Sequence, residues 1–275
     1  MARFYPISPL TAIHALICNR HMVIQLTKRE VEGRYKGSIF GFAWALLNPL
    51  ILLALYTFVF GYVFRARWGA GSNVYDSAEY AVILYAGLIL HGFFAECLAR
   101  APGLIVGNPN FVKKIVFPLE LLAWAHHGAA WFHFFMSWTV LVFFQLIVFG
   151  HVPLTVFLLP MVVLPCVLYA QGLMWGVSAL TVYFRDLAQL IGLVVTCLLF
   201  ASPVLYPLDS VPESFRGFLY LNPLTSSLEM FRSVMIWGRV PDVFELFCQI
   251  LAGLGVFCGG LFIFQRSRSG FADVL

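Results

Sequence analysis

The chain has 275 residues, of which 61% are hydrophobic and 11% charged, with a mean hydropathy of +0.88. Soluble domains carry about a quarter charged residues, so this composition excludes soluble enzymes and binding modules and places the chain in a membrane. The net charge of +4 forms no compact basic surface of the kind nucleic acid requires, and six scattered cysteines without a CxxC pair suggest neither a disulfide framework nor a metal site.

Residues 1–38 read as a cytoplasmic N-terminal segment. Its start is mixed and polar, unlike a secretory signal, so no cleavage is expected. Leu10, Ile13, Ile17, Ile24, Val31 and Tyr35 share one face of a helix whose other faces are charged, and such a helix lies in the membrane plane. Six of the nine residues from Lys28 to Lys36 are charged. A topological anchor has no evident use for Glu30 and Glu32, which favours a docking surface for a cytoplasmic partner.

Residues 39–265 read as an all-α membrane domain. A bilayer core of ~30 Å takes about 20 apolar residues as helix, which predicts six spans near Ile39–Phe64, Tyr80–Leu98, Leu121–Phe149, Leu154–Tyr183, Leu187–Tyr206 and Val243–Phe264. In span one, Pro49 cannot donate to the carbonyl of Ala45, so a kink or irregularity is expected there. With the N-terminus inside, cytoplasmic segments hold twelve Lys and Arg and outer segments five, the latter being Arg65, Arg67, Arg216, Arg232 and Arg239; both termini are therefore cytoplasmic, the last segment being the tail 266–275.

Three segments between spans carry most of the information. In the inner loop "GNPNFVKKIVFP", Asn108 can cap a helix that starts at Pro109. In the inner turn "YFRDLAQL", a salt bridge between Arg185 and Asp186 is expected. The outer segment Ser202–Trp237 is too short to cross twice. There Asn222-Pro223 repeats the cap-plus-proline start, with Leu224, Leu228, Phe231 and Met235 on one face and Glu229 and Arg232 on another. Two short amphipathic helices dipping back from the outer surface fit this pattern.

Reactive motifs are scarce. The chain has no Walker A loop, HExxH or GxSxG, so it is not expected to hydrolyse ATP unaided. A carboxylate deep in a span needs a reason; Glu96 is the candidate, with Arg100 expected to pair with it one turn later. His91, His126, His127 and His133 fall in spans two and three, where facing imidazoles could ligate haem, although polar residues lining a packed interior or wet pathway are commoner. Glu120 with His126 is the nearest approach to a catalytic pair at the membrane edge. Aromatic faces also stack on sugar rings, and Phe42, Trp44, Tyr56, Phe60, Phe200 and Tyr206 are candidates to line a pathway. Small residues at Gly37/Gly41/Ala45, Gly172/Gly176 and Gly255/Gly259 would allow close helix packing.

The segments "TKREVEGRYKGSIFGFAWALLNPL", "NPNFVKKIVFP", "YFRDLAQL", "SPVLYP" and "NPLTSSLEMFRS" together resemble the membrane subunit of type 2 ABC polysaccharide exporters, which includes the O-antigen, capsule and teichoic-acid permeases. The resemblance covers nearly the whole chain in the correct order. It implies a homodimer working with two ATPase subunits to export a polyprenyl-diphosphate-linked polysaccharide, most like O-antigen, across a bacterial inner membrane. No cofactor is implied in this chain; ATP and Mg²⁺ would bind the ATPase. It further implies ATPase contacts at Lys28, Arg29, Glu30 and Glu32 in an interface helix, and at Asn108, Asn110, Phe111, Lys113 and Lys114 in a coupling helix near 108–117. Arg29, Arg34 or Lys36 could meet the lipid head. Periplasmic gate helices would occupy 211–237 with Phe215, Tyr220, Glu229 and Arg232, and spans one and five would face the channel.

Overall fold

The fold is described from a computed structural model over residues 8–64, 68, 77–113 and 117–275. Lys114, and the topological charges Arg3, Arg65 and Arg67, lie outside these residues. The described chain is helical. In order it forms α1 (Pro9–Cys18), α2 (Arg20–Tyr35), α3 (Trp44–Tyr56), α4 (Ser77–Arg100), α5 (Gly103–Val106), α6 (Pro109–Lys113), α7 (Glu120–Phe149), α8 (Leu159–Tyr183), α9 (Leu187–Ala201), α10 (Glu213–Tyr220), α11 (Pro223–Met235), α12 (Val243–Ser267) and α13 (Phe271–Val274).

Among the described residues, five helical runs are long and apolar enough to cross a membrane: Gly41–Val63, Ala78–Arg100, Glu120–Phe149, Leu154–Tyr183 and Val243–Val274. They coincide with the runs expected as spans one to four and six. The fifth expected span differs. Its helix α9 has 15 residues, about 22 Å at 1.5 Å per residue, and ends at Ala201 rather than continuing to Tyr206. Pro203 has no N–H with which to extend the ladder, and Ser202 N–H makes the last bond, to Leu198 at 3.0 Å.

Pro49 does not interrupt α3, which runs from Trp44 through to Tyr56. The irregularity lies at the ends of that span instead, as a 3-10 turn at Gly41–Ala43 and a π-helical run at Thr57–Val63. Thr57 Oγ1 donates back to the Leu53 carbonyl at 2.7 Å, a bond that competes with regular helical geometry.

The N-terminal face expected from the spacing splits in two. Asn19 breaks the helix, its side chain donating to the Ala15 carbonyl at 2.8 Å. Beyond the break, Val23, Val31 and Tyr35 are buried, while Leu10, Ile13, Ile17 and Ile24 stay exposed. Of the expected small-residue contacts, Gly172/Gly176 holds: α8 and α12 meet where a Cβ on Gly172 would strike the Val256 carbonyl and one on Gly176 would touch Gly260, whereas Gly255 and Gly259 face open space. Gly37 and Gly41 serve a turn, with φ of 84° and 49°, a conformation that glycine adopts without steric cost.

Candidate functional site

The charged collar of α2 divides by direction. Glu30 and Arg34 turn toward the bundle, where Glu30 meets His126 of α7 at 3.5 Å and Arg34 Nη1 donates to Glu96 of α4 at 2.7 Å. His133 Nδ1 lies 2.9 Å from the same carboxylate. Thr27 Oγ1 donates to the Ala125 carbonyl at 3.0 Å, and Gly128 leaves room for it. These contacts fix α2 along α7. Burial raises the pKa of the Tyr35 hydroxyl, with Arg34 lowering it and Glu96 raising it in turn. Lys28 and Glu32 face outward as an exposed pair at 3.6 Å, and Arg29 and Lys36 are exposed beside them.

This arrangement corrects the expected Glu96–Arg100 pairing and does not join the candidate pair of Glu120 and His126. Glu96 takes Arg34 and His133 instead of Arg100, which sits exposed at the end of its helix. Arg34 approaches from a second helix and brings its guanidinium into direct contact, which a neighbour on the same helix turn does not match here. Glu120 pairs with Arg268 at 2.7 Å, not with His126. No ion pair joins Arg185 to Asp186 among the described residues; the turn is held by backbone bonds, Gln189 and Leu190 N–H donating to the Asp186 carbonyl at 3.1 and 3.3 Å.

The loop expected as a coupling segment carries α6, directly after α5. Asn110 and Lys113 are exposed and Phe111 is half-buried, its ring 4.7 Å from that of Phe117. Asn108 does not cap α6. Its side chain donates backward to the Leu104 carbonyl at 3.1 Å, leaving its own carbonyl to accept from Phe111 N–H. Behind the loop, Arg268 reaches Glu120 and also donates to the Phe117 carbonyl at 2.9 Å. Phe271 is fully buried beside Phe264, so the segment 266–275 is packed against the bundle next to this loop.

A cavity of about 380 Å³ opens between α2, α3, α4, α7 and α9. Arg34, Glu96 and His133 form one end; Asn48, Tyr85, His91 and Ser137 supply the other polar groups of its lining. Trp44 and Tyr56 line it, and Phe42 lies beside it with its ring 5.5 Å from Tyr35. Phe60 stands 6.1 Å from Tyr56 and stacks on Tyr80. The structure does not bring Phe200 or Tyr206 to this cavity. They sit at the outer end of α9, joined by Tyr206 donating to the Phe200 carbonyl at 2.8 Å. His91 opens into the cavity while His126 lies against Glu30, so these two imidazoles share no common site.

At the opposite end of the bundle from α2, α10 and α11 follow the broken end of α9. Asn222 caps α11 as expected, accepting from Leu224 N–H at 3.1 Å. Arg232, expected on a polar face, is instead completely buried. Its Nη1 donates to the Pro203 carbonyl at 2.6 Å and to Glu229 at 2.9 Å, its Nη2 to the Val204 carbonyl at 2.7 Å, and its Nε to the Ile83 carbonyl at 3.3 Å. The guanidinium carbon lies 4.4 Å over the Trp68 ring. A side chain at Gly87 would collide with it. Burial lowers the Arg232 pKa and Glu229 opposes that shift, which is how a buried cation is kept charged. Phe215 and Tyr220 remain exposed on α10.

Sequence reasoning named most of the charged groups but not their partners. It missed Arg268, Asn48, Tyr85 and Ser137. One signal was available: Tyr85, Gly92 and Glu96 are seven and four residues apart and so share a helix face.

Residues 22–236 match the family described as ABC-2 type transporter. The chain is 27% identical over 256 residues to the O-antigen export system permease protein RfbA of Klebsiella pneumoniae, covering 92% of this chain and 95% of that one. The RfbA of Myxococcus xanthus is 28% identical over 257 residues, with the same two coverages. The polysialic acid transport protein KpsM of Escherichia coli is 25% identical over 222 residues, 78% of this chain and 81% of the relative. Matched to that family model over residues 22–236, well over half of its length, the chain belongs to the ABC-2 type transporter family of membrane proteins.

Proposed function

We propose that this chain is the membrane subunit of an ATP-driven exporter that moves a lipid-linked polysaccharide, O-antigen in the first place, from the cytoplasm to the far side of a bacterial inner membrane. The observation that carries this reading is the likeness over 92% of the chain to O-antigen export permeases. Six crossings, both termini cytoplasmic, and a homodimer served by two ATPase subunits complete it, with ATP and Mg²⁺ bound by the ATPase.

The geometry supports a passive role driven from the inner face. Lys28, Arg29, Glu32 and Lys36 present an exposed charged strip, while Glu30 and Arg34 tie the same helix to α4 and α7. A push on the strip by an ATPase would therefore reach two spans through short ionic contacts, as rigid-body motion. Asn108, Asn110, Phe111, Lys113 and Lys114 make the second contact, backed by the Arg268 clasp. Arg29 and Lys36 are the collar cations left to meet an anionic lipid head, since Arg34 already holds Glu96. Phe215, Tyr220, Glu229 and Arg232 belong to the outer gate. A capsular polysaccharide is the alternative cargo, favoured by the likeness to KpsM.

Deleting the gene in its own host, then staining for surface polymer and extracting lipid-linked intermediates, tests this. Surface O-antigen should vanish while the lipid-linked polymer accumulates inside, and a plasmid copy should restore export. Unchanged surface polymer in the deletion strain would refute the proposal.

A further inference from the structure

We infer that the cavity beside α3 is a sugar-binding site, taking one or two neutral pyranose units of the polymer through Tyr85, His91 and His133. The inference rests on the exporter reading and adds to it the residues that would hold the cargo. The cavity's volume of about 380 Å³ lies within the ~300–1,000 Å³ range of small-molecule sites and far exceeds the ~30 Å³ share of a single water.

Its shape suits a polymer more than a head group. The lining residues of α4 run from Tyr85 to Glu96, eleven positions along one face, or about 16 Å of rise. That is roughly half of a ~30 Å hydrocarbon core. A segment passing along the membrane normal could occupy such a groove over its length.

Its chemistry selects for hydroxyls. His91 Nε2 and His133 Nε2 are buried without a hydrogen-bond partner, the Tyr85 hydroxyl stands beside Ser137 on the same wall, and Tyr85 and His91 are only 3% and 7% exposed. Buried polar groups normally have partners, so two orphan ring nitrogens on one cavity, with a phenol and a serine hydroxyl beside them, point to an absent ligand. His133 Nδ1 already faces Glu96; with its proton there, Nε2 is left as an acceptor. A sugar diol both donates and accepts, which suits ring nitrogens beside a phenol. Trp44, Tyr56 and Phe93 add flat apolar faces.

Its charge argues against a diphosphate. Among the described residues, Arg34 is the one Lys or Arg in the lining, and it is engaged by Glu96 at 2.7 Å. An anion would meet that carboxylate with no unpaired cation to offset it. Gly92 makes the cavity easy to fill: it lines the space, and a Cβ there would touch nothing within 4 Å.

The test is saturation-transfer NMR on the purified full chain in lipid nanodiscs, with methyl glycosides of glucose, galactose, mannose, rhamnose and N-acetylglucosamine as probes. At least one glycoside should bind, and inorganic pyrophosphate should not displace it. Tyr85→Phe, which keeps the ring and removes one hydroxyl, should weaken binding about three- to tenfold. Gly92→Leu should abolish it, and Phe143→Leu, on the exposed side of α7, should leave it unchanged. The inference is overturned if no glycoside binds, if pyrophosphate displaces it, or if Tyr85→Phe and Gly92→Leu bind like the parent chain. Because this assay contains no ATPase, it separates the two readings. Export lost on gene deletion together with any of those overturning results would remove the site and leave the exporter intact, whereas undiminished export in the deletion strain removes the exporter reading.

Discussion

Two arginines tie short helices to the long ones at opposite ends of this molecule, and they do so differently. At the α2 end, Arg34 pairs with Glu96 while 44% of its side chain remains exposed. At the α11 end, Arg232 is wholly buried and directs most of its donors at backbone carbonyls of two other segments. A partly exposed ion pair can open and re-form at small cost, since solvent replaces either partner. A buried guanidinium bonded to carbonyls has no such substitute, because separating it leaves both donors and acceptors unsatisfied. The α2 end is therefore built as a latch and the α11 end as a permanent joint. Pro203 and Val204 of the α9 terminus should consequently move together with α11, as one body.

Breaking the outer joint should have the largest effect. Arg232→Ala strips the Ile83, Pro203 and Val204 carbonyls and Glu229 of their partner, and a loss of about 3–5 kcal/mol is expected. Thermal unfolding in detergent should show a large drop or failure to accumulate. Arg232→Lys should recover only part, because an ammonium lacks the planar fork. An Ala variant as stable as the parent would remove the joint.

The clasp at Arg268 should come next. Arg268→Ala removes the bonds to Glu120 and the Phe117 carbonyl, at about 2 kcal/mol for charge-assisted bonds. Hydrogen exchange should quicken around Phe117–Leu121, and unchanged protection there would count against the clasp. Arg34→Ala should cost less, about 1 kcal/mol given its exposure, yet should speed exchange selectively in α2. If α2 stays as protected as before, the latch is not what holds it. Smallest is Lys28→Ala, where the exposed pair with Glu32 predicts a stability change under about 0.5 kcal/mol. The same substitution should still lower ATP-driven export if the outward strip receives the ATPase; full export would refute that contact.

What the sequence revealed tracks the range of the interactions. Hydropathy located the five long helical runs because each is a local property of about 20 residues. Asn222-Pro223 was readable as a helix start because capping acts over two or three positions. The failures were long-range. Arg34 and Glu96 are 62 residues apart and Arg268 and Glu120 are 148 apart, so the nearest charged neighbour on the same helix, Arg100, was the wrong guess for Glu96. Arg232 looked like a surface residue because helical periodicity cannot know that α9 ends early and leaves carbonyls to be satisfied. Asn108-Pro109 carries the same dipeptide as Asn222-Pro223, yet the Asn108 amide donates back to the Leu104 carbonyl and its oxygen takes no bond from α6, a difference the dipeptide does not reveal.

Reconstitution in lipid vesicles, with and without the ATPase partner, addresses most directly the idea that this chain is a conduit moved by force applied at its inner face. With the ATPase and ATP, lipid-linked polymer should cross the bilayer and become accessible to an external glycosidase; with the chain alone, or with ATP omitted, it should not. Equal crossing by the chain alone, with no nucleotide-binding companion, would contradict that idea outright.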